Sequence, residues 1–182
     1  VLLSGKNIFS PYKVERLPGI YSLLLKRVVD VDVFVPPSYN SSRKRYPILF
    51  LNDGQDSDAV RIKSTLTRLT RANEMREILV VGVHAGDRMQ EYGIAAKPDY
   101  RKRGSRADLY ANFIVHELLP LIKASFRIDN SDAQNAIAGY SLGGLSAFDI
   151  AWNHPELFSK IGVFSGSFWW RSKSYSGGYL DD

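Results

Sequence analysis

Residues 135–144 read Asn-Ala-Ile-Ala-Gly-Tyr-Ser-Leu-Gly-Gly, and the rest of the chain is best understood outward from them. An apolar run, Asn135–Gly139, leads into Gly139-Tyr140-Ser141-Leu142-Gly143, a match to G-x-S-x-G. A helical pattern carrying Leu145, Phe148, Ile150 and Ala151 follows. A serine between two glycines at a strand-to-helix junction marks a sharp turn with strained backbone angles. A side chain at either glycine would collide with the neighbouring strand or helix. The five-residue pattern alone recurs by chance, in about one chain in ten of this length. The strand before it and the helix after it separate it from an ordinary glycine-rich turn.

A serine hydroxyl is a poor nucleophile until a base takes its proton, and the oxyanion that forms when it attacks a carbonyl needs donors aimed at it. Ser141 is therefore the candidate nucleophile, and the Leu142 N–H immediately after it is one candidate donor. The second is expected from the loop that follows the run Pro47–Leu51. That loop reads Asn52-Asp53-Gly54-Gln55-Asp56, and the Gln55 N–H is the candidate, set against the plainer reading of a simple connecting turn.

Further out, Ile78–Val83 and Lys160–Phe164 are apolar throughout, as strands buried on both faces should be. Tyr21–Leu25 and Val28–Val35 alternate and predict an antiparallel pair ending at Pro36-Pro37. Helical patterns cover residues 59–71, 107–126 and the segment from Ser141 to about Asn153, which Pro155 stops. The second places Tyr110, Phe113, Ile114, Leu118, Leu121 and Ile122 on one stripe, and Pro120 should kink it or end its regular hydrogen bonding. Strands alternating with helices predict an α/β fold with a mostly parallel sheet, an antiparallel N-terminal hairpin and helices on both faces. Ligands then belong at the carboxyl ends of the strands.

The 182 residues suit one domain, 1–182, and 45% hydrophobic with 24% charged residues is a globular composition. The chain holds no cysteine, which removes thiol catalysis, disulfide scaffolds and zinc–cysteine sites. The acidic residues lack metal-ligand spacing, so neither a metal nor another cofactor is expected. A net charge of +5 and a pI near 9.4 raise a nucleic-acid reading. The basic stretches, residues 61–76 and 101–106, carry no interleaved stacking aromatics, and no nucleic-acid partner is expected. No run approaches the roughly 20 apolar residues of a membrane span. The compartment stays open, with a slight lean to the cytoplasm, since a leader removed ahead of Val1 is compatible with this sequence.

These segments, taken in order, resemble the Putative esterase family of the α/β-hydrolases, which includes enterochelin esterases, feruloyl esterases, S-formylglutathione hydrolases and mycolyltransferases. The resemblance rests on Val33-Phe-Val-Pro-Pro-Ser-Tyr39, Tyr46-Pro-Ile-Leu-Phe-Leu-Asn-Asp-Gly54, and Val81-Gly-Val-His-Ala-Gly-Asp-Arg88 with Glu91-Tyr92. It continues through residues 113–120, the Ser141 motif, Asn153-His-Pro-Glu-Leu-Phe158 and Phe164-Ser-Gly-Ser-Phe-Trp-Trp170. It implies an α/β-hydrolase fold, a small-molecule ester as substrate, and an oxyanion donor in the loop at Asp53-Gly54-Gln55.

The family carries its triad acid and then its histidine after the strand corresponding to Lys160–Phe164. Here the sole histidine beyond Ser141 is His154. The resemblance thus implies a sheet truncated after its sixth or so strand, with acid and histidine beyond Asp182 and self-association through the uncovered edge. His154 lies about 18 Å from Ser141, at the far end of the same helix. His116 reads as a solvated helix residue. His84 follows a strand on the catalytic edge but sits two strands away, about 10 Å sideways.

Trp169 and Trp170 are candidates for lining a substrate pocket, or equally for core positions. Arg88 is a candidate for orienting a polar substrate, or for pairing with Glu91. The expected activity is a serine carboxylesterase working through an acyl-enzyme on Ser141. An acyltransferase on the same scaffold and a non-catalytic binding module remain the alternatives.

Overall fold

Successive side chains of a strand point to opposite faces, so runs that are apolar throughout need two cores. The computed structural model, which describes residues 10–129, 131, 135–173 and 179–181, supplies both. Val31, Val33, Val35, Phe50, Val81 and Ile137 enter one core, and Phe34, Leu51, Val80 and Ala138 enter the other.

The chain runs β1 (Lys13–Ser22), β2 (Arg27–Val35), β3 (Ile48–Asn52), α1 (Ile62–Arg71), β4 (Leu79–Val83), α2 (Arg88–Glu91) and α3 (Ala107–Asn112). It continues through α4 (Leu119–Ser125), β5 (Asn135–Tyr140), α5 (Leu142–Asn153), β6 (Lys160–Phe164), β7 (Arg171–Lys173) and β8 (Tyr179–Asp181). The first six strands form one sheet in the order β1-β2-β4-β3-β5-β6. β4, β3, β5 and β6 are mutually parallel, and β1 and β2 are antiparallel to their neighbours. This is the mostly parallel sheet with an N-terminal hairpin that the sequence predicts. Leu66 of α1 packs into the second core, while α3, α4 and α5 cover the first. The residues following the four parallel strands, His84, Asp53, Ser141 and Ser165, share one sheet edge.

Four local expectations are corrected. The first strand of the hairpin is residues 13–22, and the leucine run 23–25 forms its turn. Leu25 plugs the core while Leu23 stands in solvent. Glu117 accepts the Leu23 and Leu24 N–H groups at 3.1 Å each, and Ser22 Oγ accepts that of Leu25 at 2.9 Å, so side chains satisfy a turn whose sequence reads as strand. In the long helix, Phe113–Leu118 adopts a π turn immediately ahead of Pro120. Pro120 has no N–H to return to the residue four back, and the wider turn absorbs that loss. The extra residue rotates the stripe: Tyr110, Phe113, Ile114, Leu118 and Ile122 stay buried, but Leu121 is 39% exposed.

β6, expected to be buried on both faces, is an outer strand and largely exposed, because among the described residues β5 alone flanks it. Finally, β7 and β8 pair as a separate antiparallel hairpin that no alternation announces.

The outer strand carries a testable consequence. Ile161 and Phe164 of β6 are exposed together with Trp152 and Phe168. An unpaired strand edge beside apolar surface is a template for association. This 182-residue chain is expected to self-associate as its concentration rises in light scattering. A monomer mass independent of concentration would contradict that.

Candidate active site

The turn between β5 and α5 is built on a backbone contact. Gly139 approaches so near to the first turn of α5 that a Cβ on it would lie 2.3 Å from the Gly143 carbonyl oxygen. Ser141 occupies the apex with φ 53° and ψ −120°, a positive-φ conformation costly for a residue with a side chain. Hydrogen bonds hold it there. The Ser141 N–H donates to the Phe164 carbonyl at 2.9 Å, and the Ser141 carbonyl accepts from Gly144 at 3.0 Å and Ser167 at 3.1 Å. The Ser141 side chain is exposed on the strand edge, and its Oγ lies 3.1 Å from the buried Ser167 Oγ. Leu142, immediately after it, opens α5, where the first N–H groups have no intrahelical acceptor.

The loop after β3 lies against this turn. A Cβ on Gly143 would be 2.8 Å from Asp53 Oδ2 and 3.3 Å from the Asn52 Cβ. Asn52 Nδ2 donates to the Gly143 carbonyl at 2.8 Å, and Asn52 Oδ1 accepts from the Tyr110 hydroxyl at 2.8 Å. Asp53, at φ 61°, donates its N–H to the Tyr92 hydroxyl at 2.8 Å. Gln55 has an exposed side chain tied down at both ends. Its Nε2 donates to Asp53 Oδ1 at 3.1 Å, and its Oε1 accepts the Ala85 N–H at 3.1 Å.

Arg88 is not paired with Glu91. Its Nε and Nη2 grip Asp53 at 2.9 and 3.1 Å, and Nη2 also reaches the Tyr140 carbonyl at 3.3 Å. Glu91, fully buried, binds Arg27 through two bonds of 2.6 and 2.7 Å and accepts the Gly86 N–H at 3.0 Å. α2 spans only these four residues, so the two side chains leave it toward different neighbours. Arg88 keeps about a third of its side chain exposed.

The tryptophan pair divides. Trp170 is a core residue, 1% exposed, and a Cβ on Gly93 or Gly104 would run into its ring. It presents no wall to a ligand, which corrects the pocket-lining expectation for this residue. Trp169 is exposed, and the Arg103 guanidinium lies 4.8 Å from its ring centroid.

None of the three histidines bonds Ser141. His84 Nε2 is 2.8 Å from Asp32 Oδ2 on β2, His154 Nδ1 is 3.5 Å from Glu156, and His116 is exposed. Burial would raise the Asp32 carboxyl, but the hydrogen bonds from Arg16 and His84 outweigh it and hold the group below its ordinary 3.8. Burial pushes the Tyr92 and Tyr110 hydroxyls upward, with the nearby Asp53 charge adding to it, so both are neutral phenols at physiological pH. Among the described residues no cluster of three or more His, Cys, Asp or Glu could hold a metal, and no helix is long and apolar enough to cross a membrane.

Comparison with known proteins places this arrangement. Residues 22–179 match the family described as Putative esterase. The iron(III) enterobactin esterase of Escherichia coli K12 is 27% identical over 142 residues, covering 76% of this chain and 32% of that protein. The uncharacterised protein YbbA of Bacillus subtilis 168 is 24% identical over 144 residues, covering 77% of this chain and 57% of YbbA. Each curated relative is thus matched over only part of its length.

Among solved structures, an IroE-like serine hydrolase from Shewanella oneidensis superposes with a TM-score of 0.74 at 25% identity, over 86% of this chain and 52% of that one. A ferulic acid esterase gives 0.70 at 24% identity, over 86% and 59% of the two chains, and so speaks for the fold. The fold is that of the α/β-hydrolases, as the sequence implied.

Two expectations follow from the geometry. Gly139→Ala places a methyl into backbone and should cost on the order of 3 kcal/mol in urea unfolding. A change under about 0.5 kcal/mol would mean that the turn opens freely. Because the folded Asp32 pKa lies below 3.8, its pairing stabilises the protein at neutral pH. That stability is lost as pH falls below 3.8 toward the folded value. Asp32→Asn is expected to lower stability at pH 7 and to flatten the acid limb of the stability–pH curve, read by thermal melts across pH 2–7.

Proposed function

The chain belongs to the Putative esterase family, and from that premise we propose that it carries the nucleophile half of a serine carboxylesterase that works through an acyl-enzyme. The observation behind the proposal is Ser141: a serine at positive φ, its hydroxyl exposed, at the apex of a glycine-bounded turn on the carboxyl edge of a parallel sheet. Strain of this kind persists where surrounding structure over-determines it, and it aims one hydroxyl away from the sheet.

In this reading Ser141 Oγ attacks the carbonyl carbon of an ester while a histidine takes its proton. The Leu142 and Gln55 N–H groups stabilise the oxyanion, and the alcohol departs with the proton that the histidine returns. Water then enters by the same route and releases the acid. Gln55 suits the second donor role because its side chain is immobilised at both ends, which fixes the peptide that carries its N–H. Trp169 and the exposed part of Arg88 would face the acyl or alcohol group. His84 is committed to Asp32 and His154 to the end of α5, so the base is to be sought outside these 182 residues. Transfer of the acyl group to an alcohol would share every step but the last.

The test is intact mass before and after treatment with a fluorophosphonate. The full-length protein is expected to gain one phosphonyl group on Ser141, and Ser141→Ala to gain none. The 182-residue chain, at 20.5 kDa, is expected to stay unmodified. An unreactive full-length protein would overturn the proposal. An adduct on the short chain would show that one of its own histidines, His84 first, reaches the serine.

A further inference from the structure

Around the Ser141 turn run two hydrogen-bonded arms, one from the carbonyl of Tyr140 and one from the carbonyl of Gly143, which end at the packed rings of Tyr92 and Tyr110. Arg88 joins the Tyr140 carbonyl to the Asp53 carboxylate. In the first arm the Asp53 N–H also donates to the Tyr92 hydroxyl; in the second, Tyr110 donates to Asn52, and Asn52 donates to Gly143. Asn52, Asp53, Tyr92 and Tyr110 are all buried.

In both arms the protons have one assignment. An amide N–H can only donate, so Tyr92 accepts from Asp53. Asn52 has turned its NH₂ toward the Gly143 carbonyl, so it offers Tyr110 only an acceptor, and the Tyr110 proton goes there. The two bonds from Tyr110 to Gly143 therefore point in the same sense, the arrangement in which successive bonds polarise and strengthen one another.

Packing does not require these hydroxyls. Phenylalanine at 92 and 110 would fill nearly the same volume, and the T-shaped contact of the two rings, 5.1 Å between centroids, would survive. The bonds the hydroxyls make only about repay their desolvation, though each also satisfies a buried partner, the Asp53 N–H or the Asn52 Oδ1. What the hydroxyls add is direction and length between two particular backbones, the loop after β3 and the first turn of α5.

We infer that Tyr110 and Tyr92 are positioning residues that set the distance between the two oxyanion donors, Leu142 N–H on the elbow and Gln55 N–H on the loop. The inference rests on the acyl-enzyme reading above. The Gly143 carbonyl lies one residue beyond Leu142, and the Asp53 carboxylate holds the Gln55 side-chain amide, so one arm reaches each donor within two residues. Oxyanion donors act on the transition state more than on the bound ester. A displacement of about 1 Å can cost on the order of 100-fold in rate.

The experiment compares Tyr110→Phe, Tyr92→Phe and the double variant in the full-length protein, with an aryl acetate as substrate and the fluorophosphonate as a second probe of Ser141. Each single variant is expected to lose about tenfold or more in kcat, with KM within about twofold. The phosphonylation rate should fall in parallel, and the melting temperature should fall by no more than a few degrees, the cost of the buried partner left unpaired. Since the two hydroxyls hold different arms beside the same serine, the double variant should lose at least as much kcat as the worse single one.

Unchanged kcat in both single variants would overturn the inference while leaving a reactive wild-type serine intact. A wild-type protein unreactive toward the phosphonate would instead overturn the reading beneath it. Should Tyr110→Phe fail to fold, Tyr92→Phe decides by the same kcat criterion, since it leaves the Tyr110–Asn52–Gly143 arm in place.

Discussion

The contact between the Gly139 backbone and the Gly143 carbonyl is the constraint from which the rest of the structure follows. Two peptides this close leave no room for a Cβ, and they force Ser141, between them, into its positive-φ conformation. The helix must then begin at the very next residue, so its unsatisfied N–H groups and the positive end of its dipole lie beside the serine hydroxyl. Both flanking strands lock onto the same turn. β6 does so through the Phe164 carbonyl, the segment after it through the Ser167 N–H, and β3 through Asn52. Strain at one residue is maintained because three segments distant in sequence converge on it.

Charged side chains at the same sheet edge are paired across long sequence separations. Arg27 with Glu91, Arg88 with Asp53, and Arg16 and His84 with Asp32 tie β1, β2 and the loops after β3 and β4 to one another. Ion pairs with a buried partner add little net stability, because desolvation consumes most of the attraction, but a buried carboxylate stripped of its cation is costly. Such pairs penalise wrong arrangements more than they reward the right one. That suits loops that must hold backbone donors at defined places over a sheet whose apolar faces would tolerate small slips.

What the sequence disclosed and what it withheld divide along this line. Apolar runs and the glycines around Ser141 report short-range necessities, namely burial on two faces and a turn without room for side chains. They were legible, as were five of the six strands of the sheet, with β1 alone misplaced. Partners set by three-dimensional approach were not. Arg88 and Glu91, one helical turn apart, look like a pair, yet each meets a residue more than thirty positions away. Tyr110 reads as one more apolar residue on a helix stripe, and nothing in its neighbours hints that its hydroxyl meets Asn52. Asn52 and Asp53, polar residues at the end of an apolar strand, were the signal available, and they pointed to the loop's backbone without revealing its side-chain network. The leucine run 23–25 misled for the converse reason, since side-chain acceptors from Glu117 and Ser22 stabilise a turn that propensity would make a strand.

Strand order also bears on where a base can come from, should Ser141 act as proposed. β5 has β3 on one side and β6 on the other. The β3 side is filled: Asn52, Asp53 and Arg88 occupy it, and His84 beyond them is held by Asp32 at 2.8 Å in the direction of β2. A histidine approaching from there would have to displace the groups that hold the oxyanion loop, undoing the stabilisation it is meant to complement. On the β6 side, among the described residues, the Ser141 hydroxyl meets the small Ser167 hydroxyl, and Phe164, Phe168 and Trp169 are exposed. Donors on one flank and proton acceptor on the other is also what the reaction requires, because the attacked carbonyl oxygen and the departing serine proton lie on different sides of the new bond. In the proposed reading, the rigid network on the β3 flank leaves the opposite flank, where β6 exposes Phe164, for the base.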